Sequence, residues 1–255
     1  MNTSSHDLLA TQQMFVSSAT PQAPPGARAA SYDGRIYRYC QAGASDLVAG
    51  NVVQGPAIQA GNLALAVNTT SGVAGVTVQG QGAASVAVTA VSSVGANVYA
   101  DGYLAIASGA GQGLLYSINN HAAISTGATG AFNLYSPEDT LQVSITTTST
   151  VSIMQNPYKG VIQSPITTAT GMIVGVAGYI IKATQWGWIQ TWGPAAVITE
   201  GTPALGAPVT GTAISSGGFV AVYTTATLLT QQLVGYMMQI GVASQECFVD
   251  LRISP

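Results

Sequence analysis

Gly178-Tyr-Ile-Ile-Lys-Ala-Thr-Gln-Trp-Gly-Trp-Ile-Gln-Thr-Trp-Gly-Pro194 is the stretch whose reading decides the fold. If residues 184–192 form one strand, side chains alternate between faces, and Trp186, Trp188 and Trp192, all the tryptophans of the chain, share one side. That side is expected to face a core, because aromatic rings dominate buried area. The opposite side shows Gln185, Gly187, Ile189 and Thr191, and Gly187 leaves the backbone open to close approach by a strand or a ring. Gly193-Pro194 is expected to stop the strand. Residues 195–199, the turn dipeptide Glu200-Gly201 and a return over 204–209 then complete a β-meander. A sugar- or base-stacking platform would need charged or amide groups beside the rings, and only Lys182, Gln185 and Gln190 are near in sequence.

Outward from this stretch the pattern stays β. Asp33-Gly34 is a turn, and Arg35-Ile-Tyr-Arg-Tyr-Cys40 alternates, with Ile36, Arg38 and Cys40 on one face and Arg35, Tyr37 and Tyr39 on the other. Residues 47–53, 63–67, 73–78 and 86–91 are short Val/Ala-rich strands between Gly-rich turns. Asp101-Gly102 and Gly109-Ala-Gly-Gln-Gly113 bracket a strand over 103–107, with its return over 114–118. The glycine-rich loop is a hairpin turn and not a phosphate cradle, since Leu-Leu-Tyr-Ser-Ile after it is β-like and no Lys is near. Residues 131–135, 141–145, 151–154, 218–223, 234–242 and 247–253 supply further strands, and 227–233 reads as a short helix.

The fold class expected is all-β: two β-barrel or β-sandwich units preceded by an extended arm. The arm covers residues 1–31, a first β domain 32–165 and a second, carrying the Trp-rich hairpin, 166–255, with the boundary at Pro165. Thr20-Pro-Gln-Ala-Pro-Pro-Gly-Ala-Arg-Ala-Ala30 favours polyproline geometry and cannot pair inside a sheet, so the arm is expected to add no strand. Leu8, Leu9, Met14 and Phe15 are costly to leave in water. With Pro21, Pro24, Pro25 and Arg28 they are the expected contacts to a neighbouring subunit or shell.

Composition narrows the function. Charged residues are 6% of the chain against a usual ~25%, with 47% hydrophobic residues, 30 glycines and a net charge of −3. Little electrostatic repulsion opposes self-association, so a homo-oligomer is expected. Six Lys plus Arg cannot form the basic stripe that nucleic-acid binding needs. The most apolar run, 172–181, is too short to span a membrane, and residues 1–7 do not read as a secretory signal, so synthesis in a cytoplasm is expected. The catalytic inventory is poor: His6 and His121 are the only histidines, and Cys40 and Cys247 sit in no thiol-enzyme signature and read as free thiols. Glu138 and Asp139 belong to a turn, and bringing Asp101 to Glu200 would need the fold. The expectation is no enzyme, no cofactor and no metal.

Several stretches resemble a family of structural proteins of tailed bacteriophages, those that decorate or cement the capsid. They are Asp33-Gly34 and the strand after it, Asp46-Leu-Val-Ala-Gly-Asn51, Asn97-Val-Tyr-Ala-Asp-Gly-Tyr-Leu104, Gly109-Ala-Gly-Gln-Gly113, Tyr116-Ser-Ile118, Asn156-Pro-Tyr-Lys-Gly-Val161, and Trp186-Gly-Trp-Ile-Gln-Thr-Trp-Gly-Pro194 with the Gly235 strand. The resemblance implies a non-enzymatic virion protein of β-barrel or sandwich units on the capsid exterior, a homotrimer bound to the major capsid protein. A receptor-binding or head-fibre protein of the same virion shares this composition, although no fixed-period repeat is present.

Overall fold

Alternation at period two, turn glycines and a scarcity of helix-forming runs leave this chain little besides strands to form. The computed structural model describes residues 14–58, 65–67, 79–166, 169–211, 218–222 and 231–255, and the protein is all-β, with no α-helix among them. Residues 1–13, which include Leu8 and Leu9, and the strand expected over 73–78 lie outside the described residues.

The chain divides into two units. One joins both ends, Met1–Ala57 with Pro157–Pro255, and the other is the intervening Ile58–Asn156. The division expected at Pro165 is therefore not where the structure separates. Residues on both sides of Pro165 pair with one strand, which holds them in a single sheet.

The two-ended unit contains β1 (Arg28–Ala30), β2 (Ile36–Ala42), β3 (Val52–Gln54), then, beyond the inserted unit, β10 (Lys159–Gln163), β11 (Ile173–Ala177), β12 (Trp186–Ile198), β13 (Pro208–Thr210), β14 (Ala221–Val222), β15 (Leu233–Met237) and β16 (Glu246–Arg252). Five of them close on themselves. β2 pairs β10 in parallel, and β10–β3, β3–β11, β11–β12 and β12–β2 are antiparallel. Every strand sends side chains inward, Cys40 and Ala42, Val161, Val53, Val174 and Ala177, and Ile189, joined by Leu47 and Ile181. β12 then runs on into a second layer with β16, β15, β13 and β14. Its core holds Ala195, Val197, Val209, Val234, Val249 and Leu251.

β3 and β11 form a wall between these cores. Val53 and Val174 face the barrel while Val52, Ile173 and Val176 face the second layer. Strands buried on both faces carry unbroken apolar runs, which accounts for Val52-Val53 and Ile173-Val-Gly-Val-Ala177.

The inserted unit contains β4 (Leu65–Ala66), β5 (Ser85–Thr89), β6 (Tyr103–Ser108), β7 (Leu115–His121), β8 (Thr129–Leu134) and β9 (Thr150–Met154). Their order is β4-β9-β6-β7-β8-β5, and a bridge between Val67 and Val88 joins the two ends into a barrel. Leu65, Val86, Leu104, Ile118, Phe132 and Ile153 are among its buried side chains. The loop Gly109–Gly113 is a turn between β6 and β7, as its sequence predicts, with Gly109, Gly111 and Gly113 all at positive φ. Residues 141–145 make no strand. Leu141 and Ile145 are buried all the same, and Ile145 forms a single bridge with Gln79.

Three further expectations change. Gly193-Pro194 does not end the strand: β12 runs for 13 residues, and β16 pairs with it from Trp192 opposite Arg252 to Ile198 opposite Glu246. The irregularity is bridged by Gln190, whose Nε2 donates to the carbonyls of Trp192, Gly193 and Pro194. Residues 204–209 do not return along β12 as a meander, because β13 pairs with β14 and β15. Nor is the arm free of strands, since β1 pairs with β2 across the Asp33-Gly34 turn, with Ala30 opposite Ile36. The helix expected over 227–233 falls mostly outside the described residues, and Leu233 opens β15.

Candidate functional site: an aromatic cleft

Alternation along β12 turns the tryptophan face away from the cores, contrary to the expectation that it faces inward. Ile189, Ala195 and Val197 enter the cores, so the even-numbered residues face outward. Gly187 shows why. A Cβ there would run into the Tyr179 hydroxyl and Ile181, so glycine lets a ring and a core side chain close against the inner face of the strand. The space on the inner side is thus filled from elsewhere, and on the outer side Trp188 and Trp192 stay half-buried while Trp186 is covered.

Their cover comes from the N-terminal segment and from β2. Trp186 stacks on Tyr39 at 5.7 Å between centroids, and Trp188 lies 4.9 Å from the same ring. Ser18 and Trp186 exchange backbone hydrogen bonds of 2.9 and 2.8 Å. The Tyr179 hydroxyl donates to the Val16 carbonyl at 2.6 Å, with Phe15 packed edge-on against the Tyr179 ring, and burial pushes the Tyr179 phenol well up. Trp192 carries the Arg252 guanidinium 4.6 Å above its ring.

Beyond Trp188 the face opens into a cleft of about 220 Å³. Register assembles it. Tyr37 sits opposite Gln190, Ala196 opposite Phe248, and Glu246 opposite Ile198. Arg35, Tyr37, Trp188, Gln190, Glu246 and Phe248 line it together with Met14 and Phe15. The Arg35 Nε donates to Asp33 Oδ2 at 2.8 Å, and its guanidinium carbon is 5.9 Å from the Tyr37 ring centroid. Tyr37 is only 2% exposed, and its buried hydroxyl has the Arg35 guanidinium beside it but no acceptor for its own proton. Burial pushes this phenol above its ordinary range. The cleft therefore combines rings, a cation, a carboxylate and an unsatisfied donor. Of the three polar residues near the tryptophans in sequence, Gln190 lines it, and Lys182 and Gln185 do not.

The residues expected to form an external arm contact are placed unevenly. Met14 is buried within its own unit and Phe15 is half exposed at the cleft. Pro21 and Pro24 are exposed, Pro25 is half-buried, and Arg28 is an exposed residue of β1 paired opposite Arg38.

His121, Asp139 and Asp101 are engaged in packing and hydrogen bonds. His121 lies in the inserted barrel against Tyr99 and Phe132, at 5.9 and 4.8 Å between ring centroids. Its Nδ1 is 2.9 Å from the Ala122 carbonyl and its Nε2 accepts from the Tyr99 N–H at 3.0 Å. A carbonyl only accepts, so the proton is on Nδ1 and the ring is neutral. Replacing His121 by Ala is expected to cost roughly 2–4 kcal/mol, from a cavity beside two rings and an orphaned Tyr99 N–H. The midpoint of a urea unfolding transition measures this. Cys40 and Cys247 are both free and buried, in different cores, and burial pushes the Cys40 thiol far up. Asp139 accepts from the Ser117 N–H, and Asp101 accepts from the Tyr135 hydroxyl, whose pKa that bond pushes up to about 12. Among the described residues no group of three His, Cys, Asp or Glu is placed to hold a metal.

Compared with known proteins, the chain matches no protein-family model, no curated protein and no solved structure.

Proposed function

We propose that this chain is a non-enzymatic structural protein of a tailed-phage virion, which binds the outside of the capsid shell and stabilises it. In this reading it is made in the host cytoplasm and docks as a homotrimer on the major capsid protein. The observation that carries the reading is an outward apolar row on the inserted barrel. Register sets Tyr103 opposite Met154 and Ala105 opposite Leu115, and these four with Ser152 and Ile153 line a shallow depression of about 370 Å³. Leu115 is 62% exposed and Met154 47%, on a chain with very little charge to keep such a face solvated. Symmetry multiplies weak contacts of this kind into firm attachment. Leu8 and Leu9 serve the same attachment, since Met14 is taken up by its own unit.

The test is co-sedimentation with capsids of a phage whose virion carries the protein. The intact chain should pellet with the shells at a fixed ratio and raise their melting temperature. The double variant Leu115→Glu, Met154→Glu should bind at least ~10-fold more weakly, because each apolar anchor contributes on the order of 1.5–3 kcal/mol when fully buried. An intact chain that stays in the supernatant as a 25.7 kDa monomer would refute the reading. The second reading, a receptor-binding or head-fibre protein, is favoured by the open aromatic cleft beside Trp188.

A further inference from the structure

We propose that the cleft beside Trp188 binds one neutral hexopyranose ring, the terminal residue of a glycan. The inference rests on the cleft alone, so it can hold or fail whether or not the chain binds capsids. Size limits the occupant first. At about 220 Å³ the cleft is smaller than the ~300–1,000 Å³ of sites for drug-sized ligands, which leaves room for a single ring. Its walls select the chemistry. Half-buried Trp188 and exposed Phe248 offer flat apolar surface to the C–H face of a sugar.

Polar groups on the same walls match hydroxyls, which both donate and accept. Arg35 spends its Nε on Asp33, and its remaining N–H groups can only donate. Arg35 lies beside the buried Tyr37 hydroxyl but can only donate to it, so the phenol O–H has no acceptor, and an unsatisfied buried donor is a cost that a ligand oxygen removes. Glu246 accepts, which suits a hydroxyl and opposes a carboxylate or phosphate. Arg35 and Asp33 neutralise one another, so the charge left facing the ligand is that of Glu246. This balance excludes acidic sugars and leaves neutral ones.

The probes are the methyl glycosides of glucose, galactose, mannose, N-acetylglucosamine, rhamnose and fucose, with methyl glucuronoside and sialic acid as the acidic arm. Saturation-transfer NMR on the full chain should show transfer to at least one neutral glycoside and none to the acidic pair. Trp188→Ala should abolish the signal. Because that variant removes a packed ring from beside Tyr39, Tyr37→Phe provides the second reading. It keeps the ring and deletes the orphan hydroxyl, so it should weaken binding at least fivefold while the melting temperature stays level or rises. Three outcomes overturn the proposal: no transfer to any neutral glycoside, a preference for the acidic pair, or a Tyr37→Phe variant that binds as tightly as the parent. A fall in the melting temperature of Tyr37→Phe would also overturn it, by showing that the hydroxyl is held by an ordered water instead of awaiting a ligand.

Discussion

A chain from which residues 58–156 are removed, with Ala57 joined to Pro157 through a short Gly-Ser linker, should fold and keep the aromatic cleft. The reason lies in the closed sheets. The five strands that ring Cys40, Val53 and Val161 all come from outside the excised segment, as does every residue that lines the cleft. The cut ends are neighbours, since a Cβ placed on Gly55 would lie 3.0 Å from the Pro157 carbonyl, so a few residues span them without strain. Closing a loop of a few residues in place of about a hundred lowers the entropic cost of bringing the ends together, by roughly 0.6 kcal/mol for each halving of length. The excised Ile58–Asn156 fragment should fold as well, because its buried set from Leu65 to Ile153 lies within its own sequence. Both pieces should give β-type circular dichroism and cooperative melting, and the two-ended piece alone should retain sugar binding. A molten or aggregated two-ended piece would show that its barrel depends on the insert.

This architecture was only partly legible in the sequence. The all-β class, the turn at Asp33-Gly34, the β6–β7 hairpin and the open backbone at Gly187 follow from period-two alternation and from glycine's freedom, which are local properties. What closes the barrels is not local. β2 and β10 pair in parallel although more than a hundred residues separate them, and no local pattern announces such a partner. Pro165 with the Thr run behind it reads as a boundary, yet it connects two strands that flank β3. The tryptophan face reads as inward because rings are usually buried. On β12 the inner face is instead filled by Ile189, with Tyr179 and Ile181 meeting over Gly187. The cleft is not legible in the sequence, because its walls come from distant strands. Arg35 and Glu246 lie about 150 and 60 residues from Trp188 in sequence, and only register brings them to it.

Deleting residues 1–30 should lower the melting temperature of the two-ended unit by roughly 3–12 °C, with the transition of the inserted barrel unmoved. Proline-rich composition suggests that such a segment is dispensable, and the contacts argue otherwise. Met14 and Ala29 are buried, and the backbone of 16–30 makes hydrogen bonds to Trp186, Tyr39 and Tyr179 before pairing as β1 with β2. The Gln22 N–H also donates to the Tyr39 hydroxyl at 3.0 Å. Burying Met14 contributes on the order of 1.5–3 kcal/mol, and each hydrogen bond about 0.5–1.5 kcal/mol net. The chain entropy released on deletion offsets the hydrogen bonds, the prolines limiting how much of it there is, so the net loss expected is that of the Met14 anchor, about 1.5–3 kcal/mol. At 2–4 °C per kcal/mol for a unit of this size, that is the shift stated. The truncation also uncovers Trp186, which is 8% exposed, so its fluorescence should move to the red before any unfolding. A truncated chain that melts within about 2 °C of the parent would mean that residues 14–30 contribute little to its stability. Loss of capsid binding by such a chain would then point to the arm's contacts with the shell. The same loss alongside the expected fall in melting temperature would reflect the damaged barrel instead, which is why both must be measured on one preparation.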